Sequence, residues 1–169
     1  MHLIIDGYNL LHVGRLPKAL NPEELRRERD HLVDQLSVYR HSRSCEITAV
    51  FDGWQGGWPT ETKERKKGIE LIFSRVGEKA DEVIKRLAKE KGQGAVVVTS
   101  DRDICRFAER LGVAVIPSDQ FREKMERPAL RVEKEFGGEE DEIGGMKRKG
   151  PSRRLSKKER RSRAALRKL

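Results

Sequence analysis

Cysteine, histidine and aromatic residues are scarce in this 169-residue chain, and each scarcity removes a class of function. The two cysteines, Cys45 and Cys105, stand far apart with no CxxC spacing and no histidine beside them. That excludes a thiolate zinc site and a disulfide framework, and it makes both thiols small hydrophobes of a reducing compartment. The histidines His2, His12, His31 and His41 form no cluster, and only His12 follows closely on a candidate functional residue. No apolar run approaches the roughly 20 residues a membrane-spanning helix needs. The chain begins without the basic and apolar segments of a secretory signal, so a cytoplasmic location with no membrane partner is expected. Also missing are G-x-G-x-x-G for a dinucleotide and G-x-x-x-x-G-K-[ST] for a nucleoside triphosphate. A phospho-acceptor receiver would want a lysine after its fifth strand, where this chain has Pro117-Ser118.

Charge, by contrast, is plentiful and unevenly placed. Charged residues make up 38% of the chain and the net charge is +9. From Met146 onward 12 Lys and Arg face a single acid, Glu159, so this tail carries +11 and the rest −2. The organisation expected is a globular domain over 1–130, an acidic glycine-bearing linker over 131–145 and a basic tail over 146–169. A tail of this kind either engages a polyanion or merely solubilises. Ser156-Lys157-Lys158-Glu159 has the pattern of a capping box, which predicts a basic helix to Leu169. Arg153, Arg154, Lys157, Lys158, Arg160 and Arg161 are its candidate contacts to a polyanion, most often nucleic acid.

Within the domain, apolar runs alternate with helical periods. His2 to Asp6 reads as a buried strand and ends in Asp6-Gly7. Leu10 to Leu20 reads as a connector, and a helix opens at Asn21-Pro22-Glu23-Glu24 with an amide cap, proline and acids in the first turn. Glu46 to Asp52 is a second strand, followed by a loop with Trp54 and Trp58 and then the polar stretch Thr60 to Gly68. The tryptophans together with Lys63, Arg65, Lys66 and Lys67 combine stacking surfaces with phosphate-seeking charge; alternatively the rings cover a core edge. Ile69 to Phe73, Ala95 to Thr99 and Val113 to Ile116 are further strands. Helices are predicted after Ala80, after Asp101 and from Ser118 to Glu126. Strands separated by helices imply a three-layer α/β/α sandwich around a mostly parallel sheet.

Open sheets of this kind bind ligands at the carboxyl ends of their strands. There this sequence places Asp6, Asp52 and Asp101, with Asp81 in the first turn of a helix and Asp103 two residues beyond Asp101. Crowded carboxylates repel one another unless a cation intervenes. Oxygen-only donors select Mg²⁺ or Mn²⁺, which can orient a phosphodiester and activate water. Asp81 and Asp101 also suit helix caps. Asp103, at the same helix start as Asp101, is expected nearer the centre than Asp52, which is placed one strand outside.

Asp6-Gly7-Tyr8-Asn9 resembles the D-G-x-N signature of NYN domains, within the PIN-like nuclease superfamily. Gly77-Glu78-Lys79-Ala80-Asp81-Glu82-Val83-Ile84 resembles the "ADE-x-I" segment of the YacP-like branch, and Val97-Val98-Thr99-Ser100-Asp101 resembles its "VTSD". The likeness spans about residues 1 to 127. It implies a PIN-like fold, a divalent-metal site and endoribonuclease activity. On this likeness Asp6, Asp81 and Asp101 are metal ligands and Asn9 positions water or a substrate phosphate. Where many NYN nucleases carry another acid four residues after the "SD" carboxylate, this chain has Cys105, and Asp103 either supplies the fourth carboxylate, as in the D-x-D arrangement of many PIN domains, or only caps the helix. A second reading keeps the fold as a non-catalytic RNA- or ribosome-binding module. The basic tail serves both readings, the acidic cluster only the enzyme.

Overall fold

The computed structural model describes residues 1–13, 20–53 and 59–126, and Ala164 alone beyond them. The proposed linker and the candidate tail contacts lie outside the described residues, as do Trp54 and Trp58.

Among the described residues six strands form one sheet in the order β3-β4-β2-β1-β5-β6. They are β1 (His2–Asp6), β2 (Glu46–Phe51), β3 (Thr62–Lys66), β4 (Ile69–Phe73), β5 (Ala95–Val98) and β6 (Ala114–Ile116). All neighbours run parallel except β3 and β4. The helices over residues 1–126, among those described, are α1 (Gly7–Leu11), α2 (Pro22–Arg43), α3 (Ala80–Lys91), α4 (Arg102–Arg110) and α5 (Ser118–Glu126).

Alternation along the strands sends side chains to two cores. Leu3, Ile5, Ile47, Ala49 and Leu71 meet Leu36 of α2 and Phe121 of α5 on one face. Ile4, Val50, Ile72 and Val97 meet Val83 and Ile84 of α3 and Ile104 of α4 on the other. This is the three-layer α/β/α sandwich the alternation of periods predicts.

Local chemistry fixes α2 at both ends. Asn21 accepts from the Glu24 amide at 2.9 Å while Glu24 accepts from the Asn21 amide at 3.0 Å, a complete capping box. Ser44 in the left-handed region (φ 47°) ends the helix.

Two elements differ from the sequence reading. Residues 7–11 are helical, taking in the turn after Asp6 and the first two residues of the expected connector, Leu10 and Leu11, because Asp6 caps them through the Asn9 amide at 3.1 Å. Residues 62–66 form a strand, although Thr-Lys-Glu-Arg-Lys offers no apolar face. Its register is set by the free edge of β4 and by Lys67 and Gly68, both with positive φ as a two-residue hairpin turn demands. A charged edge strand also protects the sheet from further pairing.

Candidate active site

The sheet reverses direction of growth at β1. The chain leaves β1 for β2 on one side and returns to β5 on the other, which opens a crevice at their carboxyl ends. Asp6 ends β1, Asp52 follows β2 and Asp101 follows β5, so three carboxylates rim this crevice.

Each also serves a helix N-terminus. Asp6 Oδ1 accepts from the Asn9 amide of α1. Asp101 Oδ1 accepts from the amides of Asp103 and Ile104 at 2.7 and 3.1 Å, capping α4. Asp52 Oδ1 accepts from the Ala80 amide at 2.7 Å and so caps α3 from another element. The residue before α3, Lys79, makes no side-chain cap, and Asp52 supplies what is missing. Helix N-termini carry partial positive charge, which lowers the cost of gathering these acids.

Asp81, on the first turn of α3, accepts no hydrogen bond among the described residues and is half-buried. Burial raises its pKa, and Asp101 and Asp52 raise it further. Asp6 is 9% exposed. Its pKa is pushed up to about 6, first by burial and then by Asp81 and Asp52, against the pull of its hydrogen bonds to the Asn9 amide and Thr99. Asp6, Asp52, Asp81 and Asp101 are therefore one electrostatic group.

Asp52 stands nearer this group than the sequence reading placed it. The reason is topological: β2 lies directly beside β1, pairing Asp6 with Val50, so Asp52 emerges next to Asp6. Asp103 is 81% exposed, faces Arg106 at 3.9 Å, and is not among the charges that perturb Asp6 or Asp81.

Asn9 is fixed by groups distant in sequence. Its Oδ1 accepts from the Ser100 amide at 2.9 Å and from Ser118 Oγ at 2.6 Å. A backbone N–H can only donate, so the atom facing Ser100 is the oxygen, and the amide orientation is determined by the chain itself. Nδ2 consequently points away from Ser100 and, among the described residues, donates to nothing. The half-buried Asn9 thus offers an N–H donor, suited to an anionic oxygen, while its own oxygen is already taken.

Thr99 couples two of the acids. Its hydroxyl donates to Asp6 Oδ2 at 3.0 Å and accepts from the Asp101 amide at 3.1 Å, and the residue is fully buried. Thr99 and Ser118 are positioning residues that the sequence reading did not single out. Thr99 lay inside the "VTSD" run. Ser118 had no local signal, because its partner is 109 positions away.

The donor set here is entirely oxygen, which fits a hard divalent ion in chemistry. Among the described residues no three acidic, histidine or cysteine side chains converge tightly enough, as placed, to enclose an ion.

Of the basic candidates on the β3 hairpin, Lys66 binds Asp30 at 2.7 Å and Lys67 binds Asp34 at 2.5 Å, both on α2. Lys63 faces Glu61 at 3.5 Å, and Arg65 is exposed.

Fold and site together define a PIN-like α/β/α domain with an acidic crevice at its switch point. The chain belongs to the YacP-like NYN domain family, a nuclease-type family whose model matches residues 3–168. It is 31% identical over 104 residues to "Uncharacterized protein YacP" of Bacillus subtilis strain 168, an alignment covering 59% of this chain and 59% of that protein. The match thus spans less than two thirds of that relative's length. Two crystal structures of Rae1 (YacP) from Bacillus subtilis share the fold. A Trp-to-Leu variant aligns with a TM-score of 0.61 at 23% identity over 74% of each chain. The other aligns with a TM-score of 0.54 at 24% identity, over 75% of this chain and 74% of that one.

Proposed function

We propose that this chain is a divalent-metal-dependent endoribonuclease that hydrolyses RNA phosphodiester bonds with Mg²⁺ or Mn²⁺ as cofactor. The observation that carries the reading is the gathering of Asp6, Asp52, Asp81 and Asp101 into one electrostatic group at the switch point. Membership of the YacP-like NYN family supports a nuclease reading. Carboxylates repel a phosphodiester, so such a group serves RNA chemistry only with a cation between the two.

Asp6, Asp81 and Asp101 would hold the ion, with Asp52 and Asp103 as outer carboxylates. When bound, the ion neutralises phosphate charge and lowers the pKa of water. The chain's own residues do the positioning. Thr99 sets the Asp6 carboxylate by one hydrogen bond and the Asp101 backbone by another. Asn9 Nδ2 donates to a non-bridging phosphate oxygen, its amide held by Ser100 and Ser118. Asp81, with neither oxygen engaged by a described donor, is free to accept from an attacking water.

The tail residues Arg153, Arg154, Lys157, Lys158, Arg160 and Arg161 supply encounter with RNA or the ribosome, aided by Lys63 and Arg65 on the hairpin. Lys66 and Lys67 contribute less, since α2 already holds them. Cys45 and Cys105, both as thiols, accord with a cytoplasmic setting.

The test is direct. A mixed RNA pool is incubated with Mg²⁺, Mn²⁺ or EDTA, using the wild type and the Asp81→Asn and Asp101→Asn variants. Cutting should require the ion and both carboxylates. Undiminished cutting in EDTA, or by folded Asp101→Asn, would overturn the reading. Binding without cutting under every condition would favour the non-catalytic module.

A further inference from the structure

A cavity of about 380 Å³ opens on the α2 face, at the carboxyl ends of β2 and β4. Asp52 belongs to its lining, so the cavity adjoins the carboxylate group. Its base is aromatic: Phe73 stacks on Phe51 at 5.8 Å, and Tyr8 meets Phe51 edge-on at 5.3 Å. Arg29 of α2 lies over the Phe73 ring at 5.3 Å and reaches Tyr8 Oη at 3.5 Å. Arg29 is half-buried, yet among the described residues it forms no ion pair. Its neighbour Asp30 is engaged by Lys66 instead. A partly desolvated guanidinium without an acid is costly to maintain for stability alone.

The charges around the cavity decide what kind of group it takes. Arg26, Arg29 and Lys66 are offset by Asp30, Asp52 and Glu64, so the lining is close to neutral and is no sink for a phosphate. A flat cation on a ring is, however, a stacking platform for another π system. We propose that this cavity is a nucleobase subsite, which receives one base of single-stranded RNA beside the phosphodiester at the carboxylate group. The base stacks on the Arg29 guanidinium, with Asp52 and Glu64 available to accept from its ring or amino N–H groups. Arg26, exposed at the rim, meets the strand's phosphate. The subsite rests on the nuclease reading for its substrate class, but it is a binding function and can be measured without catalysis.

The experiment uses the full chain in EDTA and two oligoribonucleotides of equal length and charge, one with bases and one abasic throughout. Wild type should bind the base-bearing strand at least about tenfold more tightly, the effect of roughly one base stack. Arg29→Ala should reduce that ratio severalfold while leaving affinity for the abasic strand within about twofold. Arg29→Lys, which keeps charge but loses the plane, should behave like Arg29→Ala in the ratio. Circular dichroism and thermal melting confirm that each variant is folded; for a variant that is not, Phe73→Leu replaces it. An unchanged ratio in these variants overturns the subsite while leaving the nuclease reading intact. Failure of wild type to bind either strand in EDTA also overturns the subsite alone, because the nuclease reading requires a cation between the carboxylates and RNA.

Discussion

Asp6 holds two positions at once, as the cap of α1 and as a buried charge facing other charges. The balance runs against ionisation, and its pKa is raised from 3.8 to about 6. A carboxyl that binds its proton more tightly when folded stabilises the fold progressively as pH falls from about 6 toward 4. Above 6 the penalty is fully present, on the order of 3 kcal/mol as an upper bound. Asp6→Asn keeps an acceptor for the Asn9 amide and removes the charge. In chelator it should be more stable than wild type at pH 7, with the difference shrinking toward pH 4 in urea titrations, and it should not cut RNA. Equal stabilities at pH 7 would mean that the charge is not strained. Ser118 is the second residue whose role can be isolated. Ser118→Ala removes the hydroxyl that holds the Asn9 oxygen and should cost about 1 kcal/mol of stability. It should also lower kcat by about tenfold with KM changed less, since a loosened donor acts chiefly at the reacting phosphate. A melting shift with unchanged kcat would make Ser118 structural only. Asp6, Asp81 and Asp101 were legible because each is marked by its neighbours in sequence. Ser118 was not, because hydrogen bonding across the crevice leaves no trace in local pattern.

At the scale of elements, periodicity located what is packed and missed what is borrowed. β1, β2, β4 and β5 announce themselves by apolar runs, and α2 by its cap and its buried stripe. β3 has neither, since its stability comes from the edge of β4 and from the turn at Lys67-Gly68. α1 is a single short turn of helix whose existence depends on Asp6. The same borrowing explains α3. Its cap arrives from β2, because Asp52 accepts from the Ala80 amide, and this one bond ties the placement of Asp81 to a neighbouring strand. Asp52→Ala should therefore cost about 1 kcal/mol as a lost helix cap. Asp52→Asn, which retains an acceptor, should cost less. Both should impair cutting more than Asp103→Asn does, since Asp103 is exposed and faces the cations Arg106 and Lys85. Thermal melts and a cleavage assay on the three variants check the order. A larger loss in Asp103→Asn would move the metal toward the first turn of α4 and away from β2.

For the molecule as a whole, positive charge and the carboxylate group lie in different parts of the chain. Apart from the segment from Met146 onward, the chain carries a net −2 and presents an acidic crevice, so its long-range field does little to recruit RNA. The segment from Met146 to Leu169 carries +11. If it supplies the encounter, each phosphate it neutralises adds a slope of about −0.7 to the salt dependence of binding to single strands. Deleting Met146 to Leu169 should then weaken RNA binding at physiological salt and flatten that slope. The carboxylate group, drawn from residues up to Asp101, is untouched by the deletion. Cutting of a short RNA at saturating concentration should accordingly persist, so that KM rises while kcat is held. A tail that only solubilises predicts the same affinity and the same slope in both proteins. Titrations of the full chain and the truncated chain at several salt concentrations separate the two, and parallel slopes would leave the tail without a part in RNA recognition.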